Sequence, residues 1–123
     1  MYVLDSSAFI ELLKESPAGK KIAEKIRDMP AITTVLTANE ILIGAKGLQR
    51  KTLEKLFEGV EVIEYDKDSA LKSVEIEEAL MKKGQVINKV DMFIAGICLA
   101  NNKQLVTLDK HFKRIPELKA VFV

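Results

Sequence analysis

The chain has 123 residues, 48% hydrophobic and 30% charged, with a formal net charge of +1. That suits one compact domain over residues 1–123 with a real core, and it excludes a nucleic-acid binder that works by bulk positive charge. One cysteine, Cys98, excludes an intramolecular disulfide, and the most apolar run, MFIAGICLA, is too short to span a bilayer.

MYVLD reads as a short buried strand ended by Asp5. No basic stretch precedes its apolar residues and Asp5 interrupts them, so a signal peptide is not expected and the cytoplasm is. A helix follows from Ala8 to Glu15, and Ser16-Pro17 starts a second one as N-cap and first helical residue. AITTVL, Ala31 to Leu36, is β-branched and reads as a second strand. A helix from Thr37 to Gly47 and another from Leu48 to Phe57 come next. Their apolar residues, Ile41, Leu42, Ile43, Leu48, Leu53, Leu56 and Phe57, are numerous enough to serve both core and an exposed patch.

VEVIEY, Val60 to Tyr65, alternates and reads as a third, more exposed strand. Asp66 caps a long charged helix that ends at Gly84. After the loop QVINK an apolar helix opens at Asp91, with Cys98 as a buried small hydrophobe in it. KQLVTLD makes a fourth strand, a short helical piece follows Asp109, and AVFV closes as a fifth. Strands that alternate with helices imply an α/β fold, a parallel sheet covered on both faces. Its ligand crevice lies beyond the carboxyl ends of the strands.

Four acids fall at that edge. Asp5 and Asp109 directly follow strands, Glu40 lies one turn into the helix after the second strand, and Asp91 joins them if its helix points its N-terminus there. Each has a purely structural explanation. Glu40 completes a T-x-x-E capping box with Thr37, and Asp91, Asp109 and Asp5 are each placed to cap a helix, Asp5 together with Ser6 or Ser7. Together they are harder to dismiss, because clustered carboxylates repel unless one is protonated or a cation is present. Oxygen ligands without a nearby pair of His or Cys suit a hard cation, Mg²⁺ or Mn²⁺, whose chemistry is metal-assisted phosphodiester hydrolysis. The one histidine, His111, has no second soft ligand and reads as a surface residue, with Phe112 beside it plugging the core.

The stretches VLDSSAFI, ANEILIG, DMFIAGICLA and LVTLDKHF, in this order over one short domain, resemble the PIN domain family and within it the VapC-type toxins. The resemblance implies a Rossmann-like sheet of about five strands in the order 3-2-1-4-5. It also implies Mg²⁺- or Mn²⁺-dependent hydrolysis of single-stranded RNA. Carried over by motif, Asp5, Glu40, Asp91 and Asp109 become the catalytic and metal-holding acids. Thr107 becomes the hydroxyl that supports Asp5, with Ser6 as a helper. The family further implies a homodimer and a small antitoxin whose tail blocks the acid pocket. Lys89, with Lys82 and Lys83, brackets the loop before Asp91 and is placed to touch the RNA backbone, while arginine is limited to Arg27, Arg50 and Arg114. The alternative is a PIN domain outside a toxin pair, either an RNA-processing nuclease or a non-catalytic RNA-binding module. A receiver-like domain would need an acid pair after the first strand, and a dinucleotide-binding one a G-x-G-x-x-G turn. Neither occurs here.

Overall fold

Strand β1 (Tyr2–Leu4) lies at the centre of a five-stranded parallel sheet in the computed structural model, which describes all 123 residues. On one side it pairs with β2 (Ile32–Thr34), Val3 opposite Ile32; on the other it pairs with β4 (Gln104–Thr107), Leu4 opposite Val106. Strand β3 (Glu61–Ile63) adds outside β2 and β5 (Ala120–Phe122) outside β4, so the order is 3-2-1-4-5, as expected. The winding direction reverses between β1 and β4, which opens a crevice at their carboxyl ends.

Parallel neighbours require crossovers, and helices supply them. Helices α1 (Ser6–Lys14) and α2 (Pro17–Lys25) join β1 to β2; α3 (Val35–Ile43) and α4 (Gly47–Glu58) join β2 to β3. Helices α5 (Lys67–Lys83) and α6 (Lys89–Ala100) lead back to β4, and a 3₁₀ helix, Lys110–Arg114, leads on to β5. Both sheet faces are covered, so alternate residues of one strand enter different cores. Leu4 packs with Phe9, Ile22, Ile41 and Val106 on one side, where the Phe9 and Phe57 rings stack at 5.3 Å. Val3 packs with Ile32, Ile76, Leu80, Ile94, Leu105 and Phe112 on the other.

Several caps fall where the sequence puts them. Ser16 accepts from the Gly19 amide with Pro17 as the first helical residue, Asp66 accepts from the Ser69 amide, and Gly84 closes α5 in the left-handed region at φ +64°. Several helix boundaries differ. Helix α1 begins at Ser6, two residues before the expected Ala8, because the Asp5 side chain caps it through the Ala8 amide at 2.9 Å. Thr34, not Thr37, starts α3: its hydroxyl accepts from the Thr37 amide at 3.2 Å. The cap therefore overrides the strand propensity of Val35 and Leu36, which become the first turn of the helix. Gly47 does not end that helix, which stops at Ile43; it opens α4 instead, at φ +60°. Helix α6 begins at Lys89, two residues before the expected Asp91, because the Asn88 side chain caps it through the Val90 amide at 2.8 Å.

The seam between α5 and α6 is unusually close. A Cβ added at Gly96 would stand 2.1 Å from Ser73 Oγ and 2.7 Å from the Ser69 carbonyl oxygen. Ser73 Oγ donates to that carbonyl at 2.9 Å and also lies 3.3 Å from the Met92 carbonyl, so the buried hydroxyl is fully satisfied.

Candidate active site

Asp5 terminates the central strand and caps α1, two jobs that fix its side chain in the crevice at 4% exposure. One carboxylate oxygen accepts from the Ala8 amide at 2.9 Å and from the Ser7 hydroxyl at 2.7 Å; the other accepts from the Thr107 hydroxyl. Burial pushes the acid above the ordinary carboxylate range. The hydrogen bonds from Thr107, Ala8 and Ser7 pull it back, and the charge of Asp109 adds to the rise.

Ser7 is the support that sequence reasoning underrated. Its hydroxyl donates to Asp5, lies 3.3 Å from Thr107 Oγ1 and accepts from the Leu108 amide at 3.0 Å, stitching the end of β1 to the end of β4. Ser6, the expected helper, makes no such bond: its hydroxyl oxygen is buried with no hydrogen-bond partner and borders the cleft. The spacing carried a usable signal, since a side chain two residues past an N-cap acid sits on the first helical turn beside it. Thr107 is wholly buried and, besides holding Asp5, accepts from the Asp109 amide at 2.9 Å.

Asp109 caps the 3₁₀ helix through the His111 amide at 2.9 Å, and its carboxylate is 3.1 Å from His111 Nδ1. His111 is indeed a surface residue, its side chain 63% exposed, and Phe112 is buried in the core. Asp91 and Glu40 lose their structural explanations. Asn88 already caps α6, and the start of α3 at Val35 puts Glu40 mid-helix, outside any capping box with Thr37. Neither carboxylate accepts a hydrogen bond from the protein or joins an ion pair. Asp91 is partly buried, and this burial, followed by the charges of Asp109, Asp5 and Glu40, raises its pKa from 3.8 to about 6 against a small opposing effect of His111.

The four acids border a single cleft of about 320 Å³, together with Ser6, Ser7, Asn88, Val90 and Ile94. Lys89 stands outside this cleft, on the exposed start of α6, with its ammonium 3.0 and 3.1 Å from the two carboxylate oxygens of Glu77 on α5. A second, apolar groove of about 650 Å³ runs between α1, α3 and α4, bordered by Ile10, Leu13, Ile41, Leu53 and Leu56, and shares Glu40 with the acid cleft.

The donor set fits a hard divalent cation. It is made only of oxygens, its carboxylates repel one another, and it includes the unpartnered Ser6 hydroxyl. No three acidic, histidine or cysteine side chains gather tightly enough to grip an ion alone. A cation here would complete its shell with water, as Mg²⁺ ordinarily does.

Residues 2–118 match the family model described as PIN domain. Over 124 residues the chain is 26% identical to the tRNA(fMet)-specific endonuclease VapC of Salmonella typhimurium, covering 96% of this chain and 94% of that one. The fold superposes on VapBC-1 from nontypeable Haemophilus influenzae with a TM-score of 0.84 and 27% identity, over 98% of this chain and 96% of that one. It also superposes on VapBC-5 from Mycobacterium tuberculosis, a member of the VapBC family of toxin–antitoxin systems, with a TM-score of 0.76, 22% identity and coverage of 98% and 97%. On the family match, the sheet order and the four motifs, this chain belongs to the PIN domain family.

Proposed function

We propose that this chain is an endoribonuclease of the VapC type, the toxin of a toxin–antitoxin pair. It hydrolyses phosphodiester bonds of single-stranded RNA with Mg²⁺ or Mn²⁺ held by Asp5, Glu40, Asp91 and Asp109. The observation that carries this reading is Asp91. Its helix is capped by another residue, its carboxylate has no protein partner, and burial together with the charges of three further acids raises its pKa to about 6. Such a group works against the metal-free fold, which gives it a use only when something cationic enters the cleft.

When bound, the cation neutralises phosphate charge and lowers the pKa of a coordinated water. The chain's own contribution is to hold ligands still. Ser7, Thr107 and the Ala8 amide lock the Asp5 rotamer, so its carboxylate needs no reorganisation on binding. Asn88 Oδ1 is engaged by the Val90 amide, which leaves the side-chain NH₂ free to donate to a phosphate oxygen at the cleft. Lys89, steadied by Glu77, offers a point charge to the RNA backbone at the rim.

The antitoxin is proposed to lie in the groove of α1, α3 and α4, because an occupant of that groove reaches the acids at Glu40. Homodimerisation belongs to the same reading. So does residence in the cytoplasm, in keeping with the lack of any helix long and apolar enough to cross a membrane.

The test is incubation of total RNA with wild type and with Asp91→Asn in millimolar Mn²⁺, with the new 5′ ends mapped. Discrete cleavage by wild type only is expected; equal cleavage by both would overturn the site. Millimolar Mn²⁺ should also raise the melting temperature of wild type and leave that of Asp5→Asn unmoved. The same shift in both would place the ion elsewhere.

A further inference from the structure

Ser6 and Ser7 are neighbours on the first turn of α1, and the fold uses them in opposite ways. The Ser7 hydroxyl is fully engaged: it donates to Asp5, accepts from the Leu108 amide and lies 3.3 Å from Thr107 Oγ1. The Ser6 hydroxyl oxygen is buried at the border of the acid cleft and has no hydrogen-bond partner. A serine inside a helix commonly donates to the carbonyl one turn back. Ser6 is the first residue of α1 and has no such turn behind it. Its donor is therefore desolvated by the fold and left unused.

The cleft is otherwise poor in donors. Asp5, Glu40, Asp91 and Asp109 offer only acceptors when ionised, and Val90 and Ile94 are apolar. What stands against them is the N-terminus of α1. The Asp5 carboxylate takes the Ala8 amide, while the amides of Ser6 and Ser7 have no carbonyl within the helix to reach. With the Ser6 hydroxyl they make three donors at the positive end of the helix, a place that attracts an anion and repels a cation. The Ser6 oxygen counts among the hard oxygens of the cleft, but its proton and its place on the helix decide its use.

We propose that the Ser6 hydroxyl and the Ser6 and Ser7 amides bind a non-bridging oxygen of the RNA phosphate that enters the cleft. The four carboxylates repel that phosphate, and the start of α1 is the part of the wall that attracts it. Ser6 is thus a substrate-binding residue, distinct from the support that Ser7 gives Asp5. The assignment rests on the ribonuclease reading above and names the contact through which that site takes its substrate.

Fluorescence anisotropy with a labelled, mixed-sequence single-stranded RNA of about ten nucleotides tests it. The measurement is made in millimolar Mn²⁺ in an Asp91→Asn background, which spares the probe from cutting. Adding Ser6→Ala should weaken binding about tenfold, as expected for one lost hydrogen bond to a charged group. The same RNA with uncharged methylphosphonate linkages should show no difference between the two proteins. Calorimetric titration of Mn²⁺ into wild type and Ser6→Ala should give affinities equal within about twofold. The melting temperature of Ser6→Ala should be equal or higher, because no bond within the fold is lost. The proposal is overturned if the background protein binds no RNA or if Ser6→Ala leaves binding unchanged. It is also overturned if the effect persists on methylphosphonate RNA, or if Mn²⁺ affinity falls with it, which would make the hydroxyl a ligand of the cation. An uncut RNA with wild type, the Ser6 effect on binding being intact, would instead sink the ribonuclease reading and leave the phosphate contact standing.

Discussion

The α5–α6 seam and the acid cleft both bury polar groups, yet they treat them in opposite ways. In the seam both buried hydroxyls are satisfied: Ser73 bonds to the Ser69 and Met92 carbonyls and Ser69 to the Asp66 carboxylate, and Gly96 lets the helices approach until nothing larger fits. In the cleft Asp5 and Asp109 hold hydrogen bonds, and the other two acids do not. Asp91 and Glu40 are left without partners, and burial, followed by the charges of Asp109, Asp5 and Glu40, raises the pKa of Asp91 to about 6. The first region is built to hold the fold together; the second forgoes stability, which leaves its free oxygens available to a ligand.

The sharpest way to break this contrast is to neutralise the cleft. Asp91→Asn should reduce RNA cleavage by more than about 100-fold while leaving the melting temperature of the metal-free protein equal or slightly higher. A variant that loses stability together with activity would make Asp91 a structural residue. The seam should behave in the opposite manner. Gly96→Ala drives a methyl into Ser73 Oγ and the Ser69 carbonyl, and should cost about 2–4 kcal/mol in denaturant unfolding. An unchanged midpoint would mean the helices part without penalty.

The third effect is a dependence on pH. The folded protein holds the Asp91 proton more tightly than the unfolded chain does, since the pKa rises from 3.8 to about 6. The stability this proton contributes is fully present below about pH 4 and lost as pH rises through about 6, a change on the order of 1–3 kcal/mol. Asp5, also raised, acts in the same direction. Metal-free wild type should therefore weaken across that window in unfolding titrations, and Asp91→Asn should flatten the slope. A slope that survives the substitution would assign the effect to another group.

The smallest effect separates two caps. Thr34→Ala should cost about 1 kcal/mol through the loss of the α3 cap, whereas Glu40→Gln should leave stability within about 0.5 kcal/mol. A loss of about 1 kcal/mol from Glu40→Gln would restore the capping role that the structure denies it.

Much of this was legible in the residues alone. Asp5, Asp66, Asp109 and Ser16 cap as their positions suggest, Gly84 takes the left-handed turn, and the sheet order follows the resemblance. The misread boundaries share a cause. Thr34 and Asn88 start helices by side-chain bonds to backbone amides two or three residues on, and such local bonds are invisible beside the louder signals of β-branching and of an acid opening an apolar run. Those shifts of two residues matter for the site. They turn Glu40 and Asp91 from structural caps into unexplained acids. Ser7 was missed as the support of Asp5 because adjacent serines look alike until the helix sets one toward Asp5 and Thr107.

The hydrogen bond between Thr107 and Asp5 spans 102 positions of the chain. The ribosome therefore makes Asp5 first and must still add everything up to Asp109 before the acids can meet. At ordinary synthesis rates of 5–20 residues per second, that delay is about 5–20 s. The acid cleft is thus incomplete until most of the chain has emerged. The central position of β1, paired with a strand from the far end of the sequence, acts as a timer on the assembly of the cleft.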